Sequence, residues 1–297
     1  MFNSFAQSVY FAPRGKDRIS ELGNDLAHAY LSPNDQLVGL IGDAGAGKSL
    51  LIRGMFPGLT LTNDDNGVNI RPLPVLEASE NDNFNNHTYH VDARFEAAFN
   101  QPWKLAEAIK KAIKYEQRVV VEHFDLLADH LGDPDLLIGI GEEVLITRPG
   151  VFGPWPQEIS EIVYKSIKYR RMAHTAEDII TAILAKKGIE KTIYHSDIKS
   201  GFVMQFERKP DINLKELEEK VKSIIDNDIR INPYDDTHIK VGEEIHSCRG
   251  PRIHVKRTGD IENFKLIKDL KHDPKTGRYL LAGLVGTERS QFELSHK

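Results

Sequence analysis

Gly42-Asp43-Ala44-Gly45-Ala46-Gly47-Lys48-Ser49 is the stretch on which the reading of this chain turns. It fits G-x-x-x-x-G-K-[ST]. In that spacing backbone N–H groups curl around phosphate oxygens, the lysine reaches the β- and γ-phosphates, and the hydroxyl is placed on Mg²⁺. The flanks agree. Gln36-Leu37-Val38-Gly39-Leu40-Ile41 reads as a short buried strand, and Leu50-Leu51-Ile52-Arg53-Gly54-Met55 as the first turns of a helix. The positive end of that helix adds to the field around a bound anion. Strand, glycine-rich loop and helix in this order predict a phosphate-binding loop over residues 42–49, with Leu50 just inside the helix.

Working outward, 297 residues suggest about two domains. Apolar residues make up 40% and charged residues 28%, the balance of an ordinary soluble globular chain. The one cysteine, Cys248, rules out an intrachain disulfide and suits a reducing compartment. No apolar run approaches the ~20 residues a membrane helix needs. Met1-Phe2-Asn3-Ser4-Phe5-Ala6 lacks the basic start and apolar core of a secretion signal, so the expected location is cytoplasmic. A net charge of −5 argues against indiscriminate coating of nucleic acid.

Residues 14–31 read as an amphipathic helix with Ile19, Leu22, Leu26 and Ala29 near helical spacing. Residues 57–86, with a short apolar stretch around Leu73 to Leu76, read as a long surface excursion carrying one or two short strands. His87 to Asp92 alternates like a strand. Pro102 opens a helix to about Tyr115, and Arg118 to Glu122 is a buried strand ending in an acid. Residues 136–140 and 143–147 suggest a strand pair. The proline- and glycine-rich run from Pro149 to Pro156 predicts a boundary between domains 1–153 and 154–297. Beyond it, residues 159–188 read as helix with one break, 194–206 as strand, and 213–226 as helix capped by Asn213. The remainder reads as strands and turns.

A phosphate-binding loop needs an acid at a neighbouring strand end to hold Mg²⁺ or orient water. Glu122 is placed for that task, and Asp92 is a second candidate. With these residues in place, the N-terminal half resembles the small bacterial ATPase of the tRNA threonylcarbamoyl-adenosine pathway. That family carries G-[DE]-x-G-A-G-K-[ST] followed by Arg-Gly, and this chain has residues 42–49 followed by Arg53-Gly54. The family's H-F-D-x-Y-R segment is matched by His90-Val91-Asp92-Ala93-Arg94, and its strand ending in Glu-Trp by Glu122-His123. The resemblance implies an α/β P-loop NTPase domain, three-layered with a mostly parallel sheet. It also implies ATP and Mg²⁺ as cofactors, Lys48, Glu122 and Asp92 as the catalytic group, and Ser49 on the Mg²⁺. The family's Thr-Ser-Pro-Thr switch segment has no clear counterpart between Leu59 and Asn86. No N-K-x-D guanine-reading segment is present.

The second informative stretch runs from His246-Ser247-Cys248 to His254-Val255-Lys256. A thiolate and an imidazole in one turn region are a usual way to hold Zn²⁺. Upstream, His174 and Asp178 lie one helical turn apart on one face and could supply the other half of a tetrahedral site. The order His174-Thr175-Ala176, Ser200-Gly201-Phe202-Val203, Gln205-Phe206-Glu207, Lys215-Glu216-Leu217 and Cys248-Arg249-Gly250-Pro251 to Thr258-Gly259-Asp260-Ile261 resembles the second additional domain of alanyl-tRNA synthetases. Threonyl-tRNA synthetases and freestanding editing proteins share that α+β domain. The resemblance implies zinc held by His174, Asp178, Cys248 and His254, and tRNA or aminoacyl-tRNA as partner. Where the family has a second helical histidine this chain has Asp178. Two extra residues, Arg252-Ile253, precede His254, so that histidine is expected to move unless the loop bulges.

Between Arg249 and Arg278 nine basic residues outnumber four acids, a local excess of +5 suited to RNA phosphates. The expected protein is therefore an ATP-binding, ATP-hydrolysing chain whose nucleotide state gates a tRNA-binding domain. The alternatives are a zinc-dependent editing hydrolase with a regulatory loop, and a non-catalytic nucleotide-binding scaffold for another protein.

Overall fold

In a computed structural model of the chain, the described residues are 6–63, 69–191, 195–250 and 252–286. The molecule divides into two compact units, Met1–Ile167 and Lys168–Lys297. The first unit is built on six strands: β1 (Ala6–Phe11), β2 (Leu37–Gly42), β3 (Thr88–Asp92), β4 (Arg118–Glu122), β5 (Leu136–Ile140) and β6 (Glu143–Thr147). Their spatial order is β1-β6-β5-β2-β4-β3. The four strands β5, β2, β4 and β3 pair in parallel, while β6 runs antiparallel to β5 and β1 antiparallel to β6.

Parallel neighbours need crossover connections, usually helical. The helices of this unit are α1 (Lys16–Tyr30), α2 (Lys48–Met55), α3 (Pro74–Glu80), α4 (Ala93–Glu96), α5 (Pro102–Lys114), α6 (Ala128–Leu131) and the start of α7 (Pro156–Ala185). Alternate strand residues feed opposite cores. Leu37, Ile41, Val91, Val119 and Val121 pack with residues of α3, α5 and the first turns of α7. Val38, Leu40, Val120, Leu136 and Ile138 pack with residues of α1 and α2. Helices therefore cover both faces of the sheet.

The contact of α1 with α2 is set by two glycines. A methyl group on Gly54 would run into the Ser20 carbonyl, and one on Gly23 into the Leu51 carbonyl. Both obstacles are backbone and cannot rotate away. Gly54→Ala is expected to force the helices apart and cost about 1–3 kcal/mol, read as a lowered thermal midpoint. An unchanged midpoint would show that this approach is looser than described.

Three local expectations differ from the structure. Among its described residues the excursion at 57–86 carries helix α3 where one or two short strands are expected, because Pro74 sits in its first turn and Val75, Leu76 and Ala78 are buried on one side. Residues 64–68 of that excursion lie outside the described residues. Helix α7 has no break, since neither proline nor glycine occurs between Pro156 and Gly188. The units divide inside it, beyond the Pro149 to Pro156 run. Ile159, Val163 and Ile167 enter the cores of the first unit, while Met172, Ala176 and Ile180 enter that of the second. Finally, the segment at 194–206 is two strands, β7 (His195–Ile198) and β8 (Gly201–Phe206), turned at Ser200 with φ 54°. Tyr194 lies outside the described residues.

The second unit adds α8 (Leu214–Asp226), whose start is capped by Asn213 accepting from the N–H groups of Lys215 and Glu216. Strands β9 (Ile231–Pro233), β10 (His238–Val241) and β11 (Glu244–Ser247) form one antiparallel sheet. Strands β12 (Lys265–Leu266), β13 (Lys271–His272) and β14 (Tyr279–Leu284) join β8 and β7 in another. Phe202, Met204, Phe206, Leu217 and Val221 fill the core with the apolar face of α7. Among the described residues, no helix is long and apolar enough to cross a membrane.

Candidate functional site

Residues 42–49 bridge the end of β2 and the start of α2, as their sequence requires. Gly42 closes the strand, Asp43 to Ala46 form the loop, and Lys48, Ser49 and Leu50 make the first turn of the helix. Gly47, at φ 103°, supplies the left-handed step into the helix that a side chain would strain. The Asp43 carboxylate accepts from the Ala44 N–H at 2.7 Å, and the Asp43 carbonyl from the Ala46 N–H at 3.1 Å. Lys48 is buried, and its Nζ donates to the carbonyls of Gly42 and Asp43, both at 3.1 Å. Burial pushes its ammonium pKa down, opposed by Glu122, Asp92 and Asp43.

The carboxyl ends of parallel strands are where open α/β sheets bind ligands. Here β2, β4 and β3 bring Gly42, Glu122 and Asp92 to one end, with Asp92 and Glu122 in register. Glu122 Oε2 lies 4.0 Å from Lys48 Nζ, and Oε1 lies 3.3 Å from His90 Nε2. Burial alone would raise the Glu122 pKa. The bond from His90, the Lys48 charge and the Ser49 hydroxyl outweigh it and hold the carboxylate below its ordinary range. Asp92 is engaged differently. Its Oδ1 caps α4 through the Phe95 N–H at 3.1 Å, and its Oδ2 accepts from Asn63 Nδ2 at 3.0 Å.

The sequence alone gives His90 no role beyond its place in the His90-Val91-Asp92-Ala93-Arg94 motif. The Thr62 N–H donates to His90 Nδ1 at 3.0 Å. An accepting Nδ1 leaves the ring proton on Nε2, which points at Glu122. A histidine between Tyr89 and Val91 in the buried middle of β3 was the available signal. His123 is also buried beside Lys48. Burial and that charge depress its pKa to about 4, so the imidazole is neutral at pH 7. Asp125 accepts from the Tyr164 hydroxyl at 3.3 Å; burial raises the Asp125 pKa, and burial with Asp125 raises that of Tyr164 to about 12.

In the second unit, His174, Asp178, Cys248 and His254 converge, with one donor atom of each within 4.8 Å of all the others. Cys248 Sγ lies 3.3 Å from His174 Nε2 and 3.8 Å from His254 Nε2. Asp178 Oδ2 lies 3.0 Å from His254 Nε2 and 3.7 Å from His174 Nε2. The extra pair Arg252-Ile253 is taken up as a turn. The Ile253 N–H donates to the Gly250 carbonyl at 3.1 Å and Ile253 is buried, so His254 still reaches the cluster. Pro251 lies outside the described residues. Burial would raise the Asp178 pKa, but the two imidazoles outweigh it and keep the carboxylate ionised. Burial and that carboxylate push the Cys248 thiol up. A buried acid and thiol against two imidazoles form a donor set that fits a divalent cation of borderline softness.

Beside this cluster, His254, Arg230, Arg252, Lys256 and Arg257 line a cavity of about 500 Å³. Arg257 is tied to Asp228 at 2.6 Å.

No protein-family model matches this sequence, and no curated protein matches it. Solved structures to which the chain has some similarity include the ornithine aminotransferase from Toxoplasma gondii ME49. Identity is 14%, with 86% of this chain and 70% of that chain covered and a TM-score of 0.25. A second Toxoplasma gondii ornithine aminotransferase structure, crystallized in presence of oxidized glutathione, gives 13% identity, 84% and 68% coverage and a TM-score of 0.23. Similarity at this level carries no argument about fold or activity.

Proposed function

We propose that the first unit is a P-loop ATPase and that the second binds tRNA or aminoacyl-tRNA in the cytoplasm, with nucleotide state gating that hold. The observation that carries the reading is the strand, loop and helix at residues 37–55, which sets Lys48 4.0 Å from a buried carboxylate. Residues 42–50 cradle the phosphates, Lys48 reaches the β- and γ-phosphates, and Ser49 holds Mg²⁺. When bound, Mg²⁺ would be held by Ser49 and would supply charge neutralisation for the phosphates. Glu122 orients the attacking water, and Asp92 supports the metal shell. The cationic cavity next to His254 takes nucleic-acid phosphates. Zinc is the metal suited to the four-residue cluster.

Calorimetry with Mg·ATP, phosphate release, and tRNA affinity measured with ATP, with ADP and without nucleotide test the three parts separately. Equal tRNA affinity in all three conditions removes the gating and leaves the ATPase standing.

His90 gives a finer prediction. Its Nε2–H occupies Glu122 Oε1 and leaves Oε2 toward Lys48. His90→Leu is expected to lower ATP turnover about 10–100-fold, the usual effect of losing such a supporting bond. His90→Gln, which keeps a donor within reach of Glu122, recovers part of the loss. His90→Asn, whose amide stops at the Nδ1 position, does not. Equal rates for the Gln and Asn variants would count against this role.

A further inference from the structure

Three acids stand at or just past the carboxyl ends of β3 and β4, beside the phosphate-binding loop: Asp92, Glu122 and Asp125. A group that takes a proton from an attacking hydroxyl needs an oxygen not already committed to a donor. Asp92 has one oxygen on the Phe95 N–H and the other on Asn63. Glu122 is engaged by His90, by the Ser49 hydroxyl and by the nearby Lys48 ammonium. Asp125 differs. Its Oδ2 accepts from the Tyr164 hydroxyl at 3.3 Å, while its Oδ1 is buried and meets no hydrogen-bond donor among the described residues. A buried carboxylate oxygen left this way is costly, and native structures seldom carry one without a use.

The surroundings set this carboxyl at the nucleotide end. It lies three residues beyond Glu122, in the short 3₁₀ turn Phe124–Leu126 that follows β4. His123, at φ 55°, makes the left-handed step that turns the chain there, and backbone strain of this kind gathers at active sites. The Lys48 charge acts on Asp125, and the Asp43 charge acts on Tyr164. Tyr164 is fixed from its own side. A methyl group on Gly139 or Gly141 would run into Val163, so α7 is pressed against the end of β5. The Glu142 N–H donates to the Ser166 hydroxyl at 3.2 Å. Tyr164 sits between these two contacts of the helix.

Charge separates the tasks of the acids. Burial raises the Asp125 pKa against the weaker pull of its own N–H, the Tyr164 hydroxyl and Lys48. Its own N–H acts there without an ordinary hydrogen bond to Oδ1. Glu122 is held below its usual range. Two carboxyls in one site whose surroundings push them apart divide into one that stays ionised and one that exchanges a proton.

We propose that Asp125 is the proton acceptor for hydrolysis at the phosphate-binding loop and that Tyr164 is the residue positioning it. The proposal rests on the reading of the first unit as a P-loop ATPase. The oxygen of a water oriented by Glu122 bonds to the γ-phosphorus. The bond from that phosphorus to the bridging oxygen breaks, and its electron pair leaves with ADP. The proton shed by the water passes to Asp125 and goes on to solvent once the products depart.

The test measures phosphate release, Mg·ATP binding by calorimetry and the thermal midpoint on the full chain. Asp125→Asn keeps an oxygen for the Tyr164 hydroxyl but cannot take up a proton. Its kcat is expected to fall on the order of 10²-fold, with Mg·ATP affinity unchanged and the midpoint no lower than in the wild type. If that variant does not fold, Asp125→Leu takes its place, since it is of similar size and buries no polar atom. Tyr164→Phe is expected to lower kcat about 10-fold at unchanged KM, as loss of a supporting bond does. Wild-type turnover in Asp125→Asn, or a lowered midpoint with turnover kept, overturns the role of Asp125 and leaves the ATPase standing. Wild-type kcat in Tyr164→Phe removes the positioning role alone. A wild-type chain that does not hydrolyse Mg·ATP overturns the ATPase reading and this one together.

Discussion

Lys48→Ala is expected to abolish ATP turnover, with kcat/KM falling on the order of 10³-fold or more, while the chain stays folded. Lys48 Nζ is already held at the loop by the Gly42 and Asp43 carbonyls. In the proposed ATPase, an ammonium so placed would face charge developing on a transferring phosphoryl group from a site largely closed to water. Its removal subtracts a preorganised charge where the dielectric is low, about 4 kcal/mol for a thousandfold loss. Glu122→Gln gives the complementary result. The amide keeps the size of the side chain and its contact with His90, so Mg·ATP binding persists while turnover falls about 10²–10³-fold. Phosphate release reads the first effect, and calorimetry reads the second. If Lys48→Ala binds and hydrolyses Mg·ATP like the wild type, the P-loop assignment fails.

The largest effect on stability is expected at Arg148, far from either candidate site in function. Its guanidinium grips Asp35 at both oxygens, 2.6 and 2.8 Å, and also donates to the carbonyls of Tyr30 and Asp135. One side chain thus ties the end of α1, the entry to β2 and the approach to β5. Asp35 is buried, so Arg148→Ala strands a carboxylate in the interior. Breaking a fully buried pair costs about 3–5 kcal/mol; because Arg148 is itself 32% exposed, the expected loss is nearer 2–3 kcal/mol.

The pH dependence has a definite sign. Burial would raise the Asp35 pKa, but Arg148 and the Ser32 N–H outweigh it and hold it below its ordinary value of 3.8. A group depressed on folding stabilises the folded state fully above its unfolded pKa and loses that contribution as pH falls through the folded value. The gap between wild type and Arg148→Ala in chemical denaturation should therefore be constant from pH 7 to about 5 and shrink below about 4. A gap that widens with acid would reverse the assignment.

Parts of this architecture could be read without coordinates because their causes are local. Pro102 opens α5, Asn213 caps α8, and Gly141-Glu142 turns β5 into β6, each through residues within a turn of the element they begin or end. Helix α3 was legible in principle from Pro74, but its neighbourhood of Asn, Asp and Gly hid it. Strand β1 was not. Its identity depends on pairing with β6, more than a hundred residues away, and a six-residue stretch carries no record of its partner. Asp92 shows the same limit at the site. As a strand-end acid it matched Glu122 in sequence, yet its oxygens meet the Phe95 N–H and Asn63, while Glu122 meets His90 and lies near Lys48.

Taken alone, the order of residues determined the loop at 42–49, the run of helices and strands about it, and the four donors at 174, 178, 248 and 254 as a possible set. Those readings rest on spacing along the chain, where backbone geometry acts over a few residues. Tertiary structure alone decided that Arg252-Ile253 folds into a turn and leaves His254 in reach, that Asp178 converges with His174, Cys248 and His254, and that Thr62 aims His90 at Glu122. The physical reason is that donor distances of 3–4 Å between residues far apart in sequence are set by how whole elements pack, and a shift of a single ångström in that packing changes which atoms meet.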